Sequence, residues 1–173
     1  FCGKAHPRDI EGKRLITEVH RLRDELGDAV RLVYVPGYNM TLGGLMTSGV
    51  DVWLNTPRAP QEASGTSGMK ASHNGIPNLS IVDGWWCEGW IEGKTGWGIE
   101  AAAGPEHVAD RVEAECLLEL LEHHVLPLYH QADAPGRGDG WASLMRSSIA
   151  LAASYFNAER MLAEYCALAY NLT

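Results

Sequence analysis

Short apolar runs alternate with amphipathic segments along the first half of the chain, and this alternation constrains the fold most. In the first amphipathic segment, apolar residues recur on one helical face, and Asp9 is placed to cap the helix. The pattern predicts a strand end at Phe1-Cys2-Gly3, helices over Asp9–Leu26, Asn39–Thr47 and Met69–Asn74, and strands over Val30–Val35, Val50–Leu54 and Asn78–Val82. Strands that alternate with helices favour an α/β fold with a parallel sheet, in which ligands bind beyond the carboxyl ends of the strands. The loop from Asn55 to Gly68 lies at such an end.

The second half of the chain has a different pattern. Residues 84–99 are rich in glycine and tryptophan, and we expect a loop there with a short hairpin. After Pro105 the periodicity predicts helices over Glu106–His124, Trp141–Ala153 and Asn157–Asn171, with a stop or kink at Pro127 and a turn-rich linker over Ala132–Gly140. We therefore expect an α/β lobe over residues 1–104 and a helical extension over residues 105–173.

Charge and composition exclude several classes of protein. The chain has 173 residues with 46% hydrophobic and 21% charged, which is ordinary for a globular protein and rules out a disordered tail. The net charge of −8 argues against non-specific nucleic-acid binding. No apolar stretch approaches the length of a membrane span. The scattered cysteines predict a reduced, cytoplasmic protein with no metal site. Because the chain begins with Phe1 inside a predicted strand, we expect a fragment of a longer protein.

The most informative run is Glu62-Ala63-Ser64-Gly65-Thr66-Ser67-Gly68-Met69-Lys70. Small residues and glycines leave backbone N–H groups uncovered, so they can form a concave anion site beside the positive end of the following helix. Thr66 and Ser67 add hydroxyl donors, and Lys70 lies about one helical turn further on. Such a site could hold a phosphate ester whose aldehyde joins Lys70, as in pyridoxal phosphate. The residues alone leave three interpretations open: an ordinary helix start with a solvated lysine, a phosphate site, and a cofactor lysine.

The same run resembles the pyridoxal-phosphate lysine segment of the α-glucan phosphorylases, which act on glycogen, starch or maltodextrin. Ser67-Gly68 replaces the Gly-Asn of the better-known branch, and this variant is similar to the short bacterial branch. The resemblance extends through Gly3-Lys4-Ala5-His6-Pro7, Tyr34–Tyr38, Asp51–Asn55, Asn74-Gly75, Asp83–Trp86, Gly140-Trp141 and Phe156–Met161. It implies the Rossmann-like carboxyl-terminal lobe of a two-lobed glycosyltransferase of the GT-B type, incomplete at its amino end and followed by closing helices.

The resemblance also implies roles for individual residues. Two residues would be catalytic: Lys70, which would hold pyridoxal phosphate, and Glu62, which would hydrogen-bond sugar hydroxyls. The cofactor would be bound by Lys70, Gly65, Thr66, Ser67 and Tyr38. The substrate would be bound by Glu62 and by the backbone of Ala63, Ser64 and Gly65. Asn39 stands where the better-known branch has an arginine beside this tyrosine, so no role of that arginine carries over.

The implied reaction is phosphorolysis with retention, in which inorganic phosphate removes a terminal α-1,4-linked glucose as glucose 1-phosphate. The phosphate of the cofactor would work beside the substrate phosphate in proton transfer. The family's phosphate-binding lysines and arginines and its amino-terminal lobe are expected upstream of Phe1, so we expect the chain alone to be inactive. The expected partners are the α-1,4-glucan, inorganic phosphate, the amino-terminal lobe of the same protein and further copies in a homo-oligomer, with neither nucleic acid nor a membrane.

Two other functions remain consistent with the sequence. A nucleotide-sugar glucosyltransferase of the same fold, similar to glycogen synthase, would also use a glutamate and a glycine-rich loop, but it would not need Lys70. A non-catalytic glucan-binding fragment would depend on the tryptophans near Trp85, because sugar faces stack on indole rings. For Trp85, Trp86, Trp90 and His73, however, we favour packing roles over ligand contacts. Asp83-Gly84 is first of all a turn signal.

Overall fold

The computed structural model describes residues 1–62, 64–131 and 139–170. The chain forms two compact units, Phe1–Met46 and Thr47–Thr173. Within the described ranges, no helix combines the length and the apolar character that a membrane span requires.

The first two helices of the chain begin at capping side chains. Helix α1 (Ile10–Leu26) belongs to the first unit, and the side chain of Asp9 accepts a hydrogen bond from the Gly12 N–H at 2.8 Å. This cap confirms the first predicted helix. Helix α2 (Met40–Gly49) runs across the boundary between the units, and the Asn39 side chain accepts a backbone N–H in its first turn at 3.0 Å. It is two residues longer at its carboxyl end than the sequence predicted.

Within the described chain, Val35 is the only residue of the predicted strand Val30–Val35 that forms a β-bridge. Val35 forms an isolated parallel bridge with Cys2, and its N–H donates to the Phe1 carbonyl at 2.9 Å. The predicted strand is therefore wrong in its extent. An apolar run becomes a strand only where a neighbour offers backbone donors and acceptors along its length, and hydrophobic pattern carries no information about that neighbour.

The second unit is built on a three-stranded parallel sheet. The strands are β1 (Trp53–Asn55), β2 (Asn78–Ile81) and β3 (Gly96–Ile99), and they lie in the order β1-β2-β3. Trp53 is in register with Asn78, which in turn is in register with Gly96. This arrangement confirms the predicted parallel α/β class, although β1 is shorter than the predicted segment.

The hairpin predicted within residues 84–99 is wrong. This segment forms the short helix α4 (Trp86–Gly89) and then β3, which runs parallel to β2. Gly96 permits the close approach of the two strands, because a β-carbon at this position would lie 1.9 Å from the Asn78 carbonyl oxygen. Glycine is rare in strands, and for this reason the local sequence indicated a loop.

The remaining regular elements of the described chain are helices. They are α3 (Thr66–His73), α5 (Glu106–Leu120), α6 (Leu126–Gln131), α7 (Gly140–Tyr155) and α8 (Ala158–Glu164), with π-helical turns over Leu121–Val125 and Tyr165–Ala169. The chain stays helical past Pro127 as far as Gln131. The π-helical turn directly before α6 accommodates the proline, which has no N–H to donate. Of the predicted linker Ala132–Gly140, residues 132–138 lie outside the described residues.

The core of the second unit joins strands and helices. Its buried members are Leu79, Ile81, Trp97, Ile99, Val125, Trp141 and Leu144. Full burial of a large aliphatic side chain stabilises a fold by about 2 kcal/mol, so the helices after residue 104 are firmly attached to the sheet. The division into lobes at residue 104 stays a prediction.

Candidate functional site

The loop after β1 and the start of α3 form one cavity of about 350 Å³. Its lining residues are Trp53, Asn55, Glu62, Ser64, Gly65, Thr66, Ser67 and Gly68. Two of these come from β1 and the others from the run that the sequence singled out. The cavity thus lies at the carboxyl end of a parallel strand, where α/β proteins bind their ligands.

Helix α3 begins three residues earlier than the sequence predicted. Gly65 is the residue before the helix, and it adopts the left-handed conformation with φ of 87°. Its carbonyl accepts the N–H groups of Gly68 at 3.0 Å and Met69 at 3.4 Å. Thr66 and Ser67 therefore occupy the first turn, where N–H groups have no acceptor within the helix. This places both residues at the positive end of the helix and in the lining of the cavity.

Asn78 fixes α3 against the sheet. Its side chain is 1% exposed, and its Nδ2 donates to Ser72 Oγ at 2.9 Å and to the Gly68 carbonyl at 3.3 Å. Both acceptors belong to α3. The helix that starts at the cavity is therefore attached to the middle of the sheet by a buried polar contact, which sequence reasoning missed.

A turn after β2 contacts the loop that contains Glu62. The Glu62 N–H donates to Asp83 Oδ2 at 2.9 Å, and the Trp85 N–H donates to the Ser64 carbonyl at 2.8 Å. The Ser64 N–H in turn donates to Glu62 Oε1 at 3.3 Å. These bonds fix the backbone on which Glu62 and Ser64 line the cavity.

The structure brings most of the predicted site residues together. Glu62, Ser64, Gly65, Thr66 and Ser67 all line the same cavity. Ala63 lies outside the described residues.

The other two predicted site residues do not line this cavity in the described structure. Lys70 is exposed on α3, four residues after Thr66 and on the same helical face. Tyr38 belongs to the first unit, where its half-buried ring packs over α2 at Gly43.

The conspicuous aromatic and histidine side chains near α3 make packing contacts. Trp85 is 7% exposed and Trp86 is 1% exposed, and the Trp86 indole N–H donates to the Trp97 carbonyl. The Trp85 ring also meets the Phe156 ring edge-on at 5.1 Å. His73 Nε2 lies 3.1 Å from the Phe156 carbonyl oxygen. The packing interpretation therefore fits these side chains better than sugar or cofactor contacts.

A second cavity, of about 580 Å³, lies beside the carboxyl ends of β2 and β3 and against α5. In its wall Arg58 pairs with Glu106 at 3.0 Å and with Asp110 at 3.4 Å. These side chains are exposed, and exposed ion pairs contribute little to stability. None of the predicted site residues lines this cavity, and no sequence pattern signalled it.

The model of the family described as carbohydrate phosphorylase matches residues 1–92. The chain belongs to this family. The chain is 44% identical over 168 residues to a glycogen phosphorylase of Aquifex aeolicus, covering 95% of the chain and 24% of that protein. It is 43% identical over 167 residues to a maltodextrin phosphorylase of Thermococcus litoralis, covering 95% of the chain and 19% of that protein. The chain thus spans a quarter or less of the length of these relatives.

Solved structures show the same architecture at low sequence identity. Anabaena Alr3699/HepE, crystallised in complex with UDP and glucose, matches 96% of this chain, and the match covers 39% of the Anabaena chain with a TM-score of 0.61. The two sequences are 16% identical. At this identity the likeness shows the fold alone, which is the GT-B glycosyltransferase fold.

Proposed function

We propose that this chain forms part of an α-glucan phosphorylase, which cleaves a terminal α-1,4-linked glucose with inorganic phosphate to give glucose 1-phosphate with retention. The observation that carries the proposal is the cavity shared by the predicted loop and the first turn of α3. It occurs in a chain whose 44% and 43% identical relatives are named as glycogen and maltodextrin phosphorylases.

The polar wall of the cavity fits the phosphate group of pyridoxal phosphate. Thr66 and Ser67 contribute hydroxyl groups and the first amides of α3, and Gly65 starts the turn from which those amides follow. Free amides and the helix dipole together favour an anion at a helix N-terminus. These three residues would therefore hold the phosphate, in agreement with the roles expected from the resemblance.

Lys70 would hold the cofactor through its amine. Because it follows Thr66 by four residues on α3, the β-carbons of the two side chains lie about 5–6 Å apart on one face. A flexible lysine can span the distance from that face to the helix start. When bound, the cofactor would supply a phosphate group that exchanges a proton with the substrate phosphate.

Glu62 would bind the glucose unit. Its Oε1 accepts the Ser64 N–H, and a carboxylate has about four lone-pair sites, so capacity for two vicinal hydroxyl groups is left. The backbone of Ser64, Gly65 and Ala63 would add further sugar contacts. Tyr38 is retained as a cofactor contact on the family resemblance.

The remainder of the site would come from other parts of the protein. The matched relatives are four to five times longer than the region they share with this chain. We expect the inorganic phosphate site and the amino-terminal lobe in those parts, and we expect the protein to act in the cytoplasm, alone or as a homo-oligomer. The 173-residue chain, supplied with cofactor, inorganic phosphate and maltodextrin, should form no glucose 1-phosphate.

The test uses the intact gene product that contains these residues. Borohydride reduction followed by digestion and mass spectrometry should give a pyridoxyl-phosphate adduct on the peptide that contains Lys70. Lys70→Ala should lose the adduct, while the control Lys94→Ala, which changes an exposed lysine outside the cavity, should keep it. An unmodified Lys70 in folded protein supplied with cofactor would contradict the proposal and favour a nucleotide-sugar glucosyltransferase.

A further inference from the structure

Asp83 lies just beyond the carboxyl end of β2, and both of its carboxylate oxygens accept backbone hydrogen bonds. Oδ2 accepts the Glu62 N–H at 2.9 Å, and Oδ1 accepts the Gly84 N–H at 2.9 Å. Hydrogen bonds to an ionised acceptor are about twice as strong as neutral ones. Asp83 therefore links the turn that follows β2 to the backbone of a residue 21 positions earlier.

The same turn contacts the loop at a second point. The Trp85 N–H donates to the Ser64 carbonyl, and a β-carbon on Gly84 would lie 2.6 Å from that carbonyl oxygen. It would also lie 3.1 Å from Cγ of Glu62. The turn and the loop are thus in direct contact at both Glu62 and Ser64.

Two hydrogen bonds therefore hold Glu62, one at its backbone and one at its side chain. Asp83 holds the Glu62 N–H, and the Ser64 N–H holds Oε1 of the same residue. Without Asp83 the Glu62 amide loses its acceptor, and the loop is left with the Trp85 bond to Ser64. The carboxylate that lines the cavity would then sample more directions.

We infer that Asp83 is a positioning residue for sugar binding, which acts through Glu62 and does not itself touch the glucose unit. This inference rests on the proposed function, because it requires that Glu62 binds the sugar. It predicts that Asp83 affects the affinity for the sugar while the cofactor remains held by α3.

The experiment measures glucose 1-phosphate kinetics in the intact gene product. Asp83→Ala should raise KM for glucose 1-phosphate in the synthesis direction about tenfold, with a smaller change in kcat and an unchanged pyridoxyl adduct on Lys70. A tenfold change corresponds to about 1.4 kcal/mol, the size of one hydrogen bond. Asp83→Asn offers one acceptor oxygen for two N–H donors, so it should give an intermediate increase. The matched control Glu88→Ala, which removes an exposed carboxylate on α4, should leave both constants unchanged.

A double-mutant cycle separates positioning from a general structural effect. If Asp83 acts through Glu62, adding Asp83→Ala to a Glu62→Ala protein should change KM less than twofold, because coupled residues are non-additive. If the effects of the two substitutions on KM multiply in the double variant, or if Asp83→Asn leaves KM unchanged, the inference is overturned. Hydrogen exchange at the Glu62 amide should also be faster in Asp83→Ala than in the parent, and equal rates would overturn it independently of activity. A parent protein that forms no glucose 1-phosphate would instead contradict the proposed function.

Discussion

Asn78 is the residue by which β2 holds the lysine-bearing helix, and we expect Asn78→Ala to destabilise the protein by about 2 kcal/mol. The substitution removes the donors to Ser72 Oγ and to the Gly68 carbonyl, each contributing about 1 kcal/mol. The space left in a fully buried site costs about 1 kcal/mol more. Part of this is offset, because within the described residues Oδ1 of Asn78 has no hydrogen-bond partner and its removal regains about 1 kcal/mol.

Thermal unfolding followed by circular dichroism measures this effect. A chain of this size loses roughly 2–4 °C in Tm for each kcal/mol, so Asn78→Ala should lower Tm by about 4–8 °C. The matched control is Asn74→Ala, which removes the same side chain from an exposed position where its Nδ2 donates to the Lys70 carbonyl at 2.8 Å. That variant should lose about 1–2 °C. Equal losses for the two variants would refute the reasoning, because they would show that burial of Asn78 contributes nothing to holding α3.

Three further outcomes follow from single contacts. Gly96→Ala should reduce the yield of folded protein sharply, because its β-carbon would lie 1.9 Å from a backbone oxygen of β2. Gly93→Ala, which has nothing within 4 Å of its β-carbon, should lower the stability of the fold by only about 1 kcal/mol; soluble expression and Tm of the two variants test the difference. Burial and the neighbouring carboxylates raise the pKa of the Cys116 thiol, so a smaller fraction of it is thiolate at a given pH. Iodoacetamide should therefore label Cys116 more slowly than the exposed Cys87, and the labelling rate of Cys116 should increase at higher pH; equal rates at the two cysteines would contradict this. Asp9→Ala should lower the stability of α1 by about 1 kcal/mol through loss of its cap, which hydrogen exchange of that helix would detect; unchanged exchange would contradict it.

The elements that the sequence predicted well are those whose signal is local. Helix α1 follows from its apolar periodicity and from the cap at Asp9, both of which lie within the helix or one residue before it. Strand β2 lies within the segment Asn78–Val82 that the sequence predicted as a strand. In each case the residues that form the element also carry the pattern, so no distant contact was needed to recognise it.

The errors arose where a distant contact decides the local structure. Strand β3 contains two glycines and therefore indicates a loop, but pairing with β2 and burial of Trp97 and Ile99 make it a strand. The first residues of α3 are Thr, Ser and Gly, which are weak helix formers. The Gly65 cap and the contact with Asn78 extend the helix through them, and neither can be read from the helix sequence itself.

The same distinction applies to the candidate site. Six of the eight residues that line the cavity belong to one continuous run, so residue type and order pointed to these six together, but not to Trp53 and Asn55 of β1. Asp83 is 21 positions from Glu62, and its hydrogen bond depends on the sheet that brings the two loops together. Reasoning from sequence thus recovers the chemical groups of a site more readily than the residues that hold them in place.

The contacts made by Phe156 have a practical consequence for shortening the gene. Its carbonyl meets His73 of α3, and its ring meets the ring of Trp85, which packs beside Gly65. A stop codon placed before Phe156 would leave every residue of the cavity encoded, yet it would remove a support that reaches both the lysine-bearing helix and the turn beside it. Carboxyl-terminal deletions chosen by motif alone would therefore impair a site that they leave formally intact.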